Sequence, residues 1–227
     1  MVSKQVRKYM KKTGTIILLS ALMFFGTNII SAAPISDEPM KLSPKLTQKT
    51  VDEYTKVTSE EKIKEALDLL KGTVGDFSRE AILGSNLTER PIKIEFRELS
   101  SLKPEYANYD ALGMKKGRQL YIYINQKHYN APPEALAALL SHEALHQDEY
   151  NSIKEETYAW TMEATVWADL CRKNPSLRNN KMSSLAAREN ILLKMLENAN
   201  YSNILIKNTV VNHPGYQSLP QKSPGFE

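Results

Sequence analysis

The stretch "SHEALHQDEYNSIKEETYAW", Ser141 to Trp160, limits the possible fold more than any other part of the chain. Pro132 and Pro133 suit the first turn of a helix, and "EALAALLSHEALHQ" continues it. Positions four apart on a helix share a face, so His142 and His146 extend the apolar stripe of Ala135, Ala138 and Leu139, with Leu145 beside it. Burying two imidazoles and Glu143 without partners costs on the order of several kcal/mol. A metal ion would satisfy all three groups at once. The bland alternative is a hydrogen-bonded core histidine, but the chain has only four histidines and two fall at this spacing, with Glu143 between them.

Zinc sites that catalyse hydrolysis take three protein ligands and keep one position for water. Asp148 to Asn151 read as a short turn, which sets the next helix antiparallel to the first and brings its first turn to the histidines. Glu155 and Glu156 both lie there. Ser152 and Glu155 have the spacing of a capping box, which would occupy the Glu155 carboxylate with backbone amides. Glu156 falls on the stripe of Ile153 and Trp160 and is the expected third ligand. Glu155 stays the alternative, because a one-residue shift of the helix start exchanges the two roles.

"HEALH" followed by "ETYA" resembles the H-E-x-x-H and downstream E-x-x-A pattern of the gluzincin metallopeptidases, closest in spacing to their compact, minimal members. The clear match runs from about Leu139 to Trp167. It implies one Zn2+ held by His142, His146 and Glu156, with Glu143 as the catalytic acid/base acting on a zinc-bound water. The ligand glutamate of that family lies three residues before a small residue, here Ala159, which supports Glu156 over Glu155. The resemblance further implies that "QLYIYIN" is the edge strand on which an extended peptide substrate pairs. Two departures stand out. Many gluzincins have an aspartate where this chain has Trp160, so Asp148, Glu149 and Glu163 are the candidates for orienting a zinc histidine. Only nine residues separate His146 from Glu156, fewer than in larger family members. His128, Tyr158, His213 and Tyr216 are possible oxyanion donors, none of them matching a family motif.

Around this core the sequence reads as α+β. "PIKIEFREL" and "RQLYIYIN" alternate apolar and polar residues as half-exposed strands. A first helix is expected from Thr58, with Glu61 completing a capping box, and a short one over Phe77 to Leu83. A long helix from about Ser152 carries Ile153, Trp160, Ala164, Trp167 and Cys171, and another covers about Ser184 to Asn198. The expected architecture is a small zincin-like domain over residues 58–211. A Pro-, Lys- and Thr-rich linker or pro-segment over 34–57 precedes it, and an irregular tail over 212–227 follows.

Residues 1–33 begin with Lys4, Arg7, Lys8, Lys11 and Lys12, followed by the apolar run Thr15 to Ala33, and read as a signal peptide. An uncleaved N-terminal anchor is the rival, since 19 residues approach the length needed to span a bilayer. Without those five cations, 25 basic residues face 26 acidic ones, which removes the case for a nucleic-acid partner. Cys171 is the sole cysteine, so no intramolecular disulfide forms, and its apolar stripe marks it as a buried small side chain. Nothing in the sequence points to an oligomeric state. The expected function is an exported, extracytoplasmic zinc metallopeptidase acting on peptide or protein, touching membrane only through its N-terminus. The alternative is a zincin-scaffold binding protein with a structural zinc.

Overall fold

The structure, a computed structural model, describes residues 48–84, 90–146, 150–180 and 183–226. The signal-peptide reading of 1–33 therefore lies outside the described residues, as does most of the linker. Among the described residues no helix is long and apolar enough to cross a membrane. The architecture is α+β, with a three-stranded mixed sheet and seven α-helices among the described residues.

Helix α1 (Gln48–Thr55) corrects the linker reading of 34–57 over its last ten residues. Tyr54 is fully buried and its hydroxyl donates to Asp68 Oδ1 at 3.2 Å. Val57 is buried as well, and its carbonyl accepts from Ile94 N at 3.1 Å. Val51, Tyr54 and Val57 are three apolar positions in a short polar run, too few to show a helical period on their own. Helix α2 (Glu61–Leu69) begins three residues later than expected. The expected capping box is not formed: Thr58 Oγ1 accepts from Glu60 N, while Glu61 pairs with Lys64 at 2.7 Å. Helix α3 (Asp76–Leu83) ends on Gly84 at φ 89°, where a Cβ would stand 2.6 Å from Pro91 N. Only glycine suits that stop.

The sheet order is β1 (Lys93–Arg97), β3 (Gln119–Asn125), β2 (Ala111–Lys116). Strand β1 runs parallel to β3, with Ile94 opposite Ile122, and β2 runs antiparallel to β3, with Gly113 opposite Ile122. "QLYIYIN" is therefore the central strand, which corrects its expected place at the edge. The strand that displaces it, β2, turns into β3 through Gly117 at φ 60°. Its Gly113, Lys115 and Lys116 are exposed, leaving it without the alternation that marks a half-buried strand.

Helix α4 (Pro133–Glu143) starts with proline in its first turn, as expected, and is buried from Glu134 to Glu143. It is the central helix, with α2, α3, α5 (Ile153–Lys173) and α6 (Ser184–Asn198) packed around it. Helix α7 (Ile204–Asn212), which the sequence reading did not anticipate, seats Ile206 and Val210 against Leu192 and Leu196 of α6. Among the described residues, the tail beyond it has one 3-10 turn, Pro214–Tyr216, and an isolated bridge between Ser223 and Phe226.

Because Tyr54 belongs to the core, Tyr54→Ala is expected to destabilise the folded chain by about 3–5 kcal/mol. Denaturant unfolding checks this, and a loss under about 1 kcal/mol would return α1 to the status of a linker.

Candidate metal centre

Helix α4 closes one turn earlier than its apolar pattern suggested. Leu145 N donates to His142 O at 2.9 Å and His146 N to Glu143 O at 3.3 Å, so the chain tightens into i→i+3 bonds beyond Glu143. His142 thus sits on the helix and His146 on the turn that follows it. Their Nε2 atoms come within 3.1 Å of each other.

The third member comes from α5. Glu156 Oε2 lies 3.8 Å from His142 Nε2, and Glu156 Oε1 lies 3.7 Å from His146 Nε2. Ligating atoms of His142, His146 and Glu156 all fall within 4.8 Å of one another. Further along α5, Glu163 meets His142, whereas Glu155 meets His146, so the two helices run antiparallel. That order is the one expected from the short turn between them, of which Asp148 and Glu149 lie outside the described residues.

Each histidine is oriented from behind by a carboxylate. His142 Nδ1 is 3.0 Å from Glu163 Oε2, and His146 Nδ1 is 3.0 Å from Glu155 Oε1. A carboxylate acceptor fixes the proton on Nδ1 and leaves the Nε2 lone pair free. The two Nε2 atoms then face one another across their 3.1 Å hydrogen bond, beside Glu156, whose buried Oε2 has no hydrogen-bond partner. Two imidazole nitrogens and a carboxylate oxygen converging in this way form a group that could hold a cation. Two tetrahedral nitrogen ligands about 2.0–2.1 Å from an ion would stand about 3.3 Å apart, close to the separation seen here.

Glu155 is thus more than the helix cap expected from sequence. Its backbone N does donate to Ser152 Oγ at 3.1 Å, but Ser152 N bonds Asn151 Oδ1, leaving the Glu155 carboxylate for His146. Behind Glu163 stands a second layer. Arg188 Nη1 and Nη2 donate to Glu163 Oε1 and Oε2, Nη1 also reaches Glu189 at 3.0 Å, and Nε lies 3.3 Å from Asp110. Asp110 in turn holds His128 at 2.7 Å and Lys127 at 3.0 Å. His128 is therefore bound into this layer and is not a free donor at the centre. Arg188 and Glu189 went unrecognised in the sequence, although they interrupt the stripe from Leu185 to Leu192 of α6.

The electrostatics follow from burial and charge. Burial pushes the Glu143 carboxyl up, against the opposing pull of His142 and His146. Burial lowers His146, yet Glu155, Glu156 and Glu143 outweigh it and bring its pKa up to about 9. Burial likewise opposes ionisation of Glu156, but His142, His146 and Asn151 hold it below the ordinary range. Burial, with the Glu163 charge beside it, raises the Glu189 carboxyl well above the ordinary range. Such a centre prefers positive charge.

Of the remaining residues singled out in the sequence, Tyr216 comes nearest. Its hydroxyl accepts from Trp160 Nε1 at 3.3 Å and stands beside the Glu156 carboxylate. His213 is exposed and accepts from Gly215 N, and Tyr158 packs on Phe226. Cys171 is buried, and burial pushes its thiol up to about 12, which makes it an inert core side chain. Edge strand β2 passes directly over the turn of His146: a Cβ at Gly113 would lie 3.6 Å from His146 O. Comparison with protein-family models, with curated proteins and with solved structures gives no match.

Burial raises the Asp110 carboxyl, but His128, Arg188 and Lys127 outweigh it and hold the group well below the usual carboxylate range. A depressed carboxyl stabilises the fold above its unfolded value of about 3.9, and that contribution disappears as pH falls through the folded value. Asp110→Asn is therefore expected to be less stable than the wild type at neutral pH, with the gap closing only below about pH 4. Urea unfolding across pH checks it; a gap independent of pH would refute the assignment.

Proposed function

We propose that the chain is an exported zinc metallopeptidase of the gluzincin type that hydrolyses peptide bonds. The observation that carries the reading is the convergence of His142 Nε2, His146 Nε2 and the unpartnered Glu156 Oε2, with Glu143 next to the first ligand. His142, His146 and Glu156 would hold the ion. Zinc, when bound in a three-ligand site of this kind, acidifies water to a pKa of about 7 and polarises a carbonyl.

Glu143 does the proton work. Its carboxylate takes the proton of the attacking water and hands it to the leaving amine, and burial, by raising its pKa, brings the two protonation states closer in energy. Glu155 and Glu163 keep both imidazoles in the tautomer that offers Nε2. An extended substrate would pair with β2, which lies beside His146 and has β3 on one side only among the described residues. Strand β3 cannot serve, since both its edges are paired. Export rests on the basic and apolar N-terminus.

One observation favours the alternative of a structural zinc in a binding protein. His142, Glu143 and Glu156 are all more than nine-tenths buried, and structural zinc sites are closed where catalytic ones stay open. Glu143→Gln separates the two readings. A peptidase keeps its zinc and loses about 10²–10⁴-fold in turnover, whereas a structural site keeps both zinc and any ligand affinity. The measurements are metal content and cleavage of a peptide library by a chain beginning near residue 34. Stoichiometric zinc without cleavage selects the binding protein.

Glu156→Gln removes one of the three ligands and is expected to abolish stoichiometric zinc. Retention of zinc by that variant would disprove the ligand set, and absence of zinc from the wild-type chain would end both readings.

A further inference from the structure

The helix that brings Glu155 and Glu156 to the histidines starts at Ile153, and a helix start leaves its first backbone N–H groups without intrahelical partners. Here the missing partners come from the far end of the chain. Ile153 N donates to Pro220 O at 2.9 Å and Lys154 N to Gln221 O at 3.3 Å. Glu155 N goes to Ser152 Oγ, and Glu156 N to Ser152 O at 2.9 Å. Four successive amides are satisfied, two of them by the tail.

The contact does not end at the backbone. Ser223, buried, donates its hydroxyl to Glu155 Oε2 at 2.6 Å and meets Ser152 Oγ at 3.0 Å. The other oxygen of the same carboxylate, Oε1, is the one that orients His146 Nδ1. An unbroken line therefore runs from Ser223 through Glu155 to His146 Nε2. Removing Ser223 takes a donor from this buried carboxylate, at a cost of about 1–3 kcal/mol.

We propose that residues 220–223 of the C-terminal tail are part of the metal centre, Pro220 and Gln221 closing the start of the ligand helix and Ser223 acting as a positioning residue that fixes Glu155 on His146. This rests on the reading of His142, His146 and Glu156 as zinc ligands. The tail then belongs to the site's architecture instead of trailing from it. Ser223 acts through Glu155 and touches neither ion nor substrate, so its removal weakens metal binding and leaves the ligand set intact.

The test is zinc affinity of the full chain, measured by competition with a chromophoric chelator, for wild type, Ser223→Ala, Ser223→Thr and Ser223→Val. Loss of partners behind a zinc histidine costs roughly 10–100-fold in affinity, so the Ala and Val variants are expected to bind zinc roughly tenfold more weakly. Thr, which keeps the hydroxyl, should stay within roughly twofold of wild type. Thr and Val are nearly isosteric, so this pair carries the comparison if Ala fails to fold. Cobalt loaded in place of zinc gives a second readout, with the visible spectrum changed in Val and Ala and unchanged in Thr. Wild-type affinity in Ala and Val, or equal weakening of Thr and Val, overturns the role of Ser223 while sparing the zinc site. A wild-type chain that takes up no zinc overturns the inference and the site together.

Discussion

The structure depends on one constraint: α4 is buried on every side, and its last turn carries His142 and Glu143 into the core. Ionisable groups placed there need partners from other elements, because removing one member of a buried pair costs about 3–5 kcal/mol. Helix α5 contributes Glu155, Glu156 and Glu163, and α6 contributes Arg188, whose fork engages both oxygens of the wholly buried Glu163. The packing of three helices and the satisfaction of one polar cluster are thus the same problem. Apolar residues of similar volume would solve it with equal or greater stability.

The grouping of His142, His146 and Glu156 was legible because its signal is local. The two histidines are four residues apart, and Glu156 is distinguished from Glu155 by the stripe it shares with Ile153 and Trp160. What it misjudged was decided by distant parts of the chain. Ser152 and Glu155 satisfy the capping pattern, and the backbone half of that cap does form. The carboxylate is drawn away by His146 and Ser223, 9 and 68 residues distant. A local rule was obeyed by the main chain and overridden by tertiary contacts at the side chain. Arg188 shows the same limit: a charge inside an apolar stripe signals a buried partner without saying which.

The sheet misled for a different reason. Strand β3 has the strongest β pattern in the chain, and a strand with one apolar and one polar face reads as half-exposed. Its polar face is covered even so: Tyr123 is fully buried, with Lys116 and Arg97 lying over its ring at 5.1 and 4.9 Å. Aliphatic stems and cationic heads of long side chains cover an aromatic ring well, so a central strand can look like an edge when its cover is charged. The edge beside the histidines, β2, is inconspicuous because Gly113, Lys115 and Lys116 leave it without an alternating pattern. Gly113 keeps it thin where it crosses His146.

Charge balance argues for what the centre would accept. Glu163 is matched by Arg188, burial raises the carboxyls of Glu189 and Glu143, and Asp110 is matched by Lys127 with the remaining arm of Arg188. That leaves Glu155 and Glu156 around two imidazoles. In the metal-free chain a proton on His146 answers one of those charges, which is why its pKa stands at about 9. The orphaned oxygen of Glu156 marks the charge still unanswered. A divalent ion taking the place of that proton would answer both carboxylates and accept all three converging lone pairs, where a second proton could satisfy only one of them.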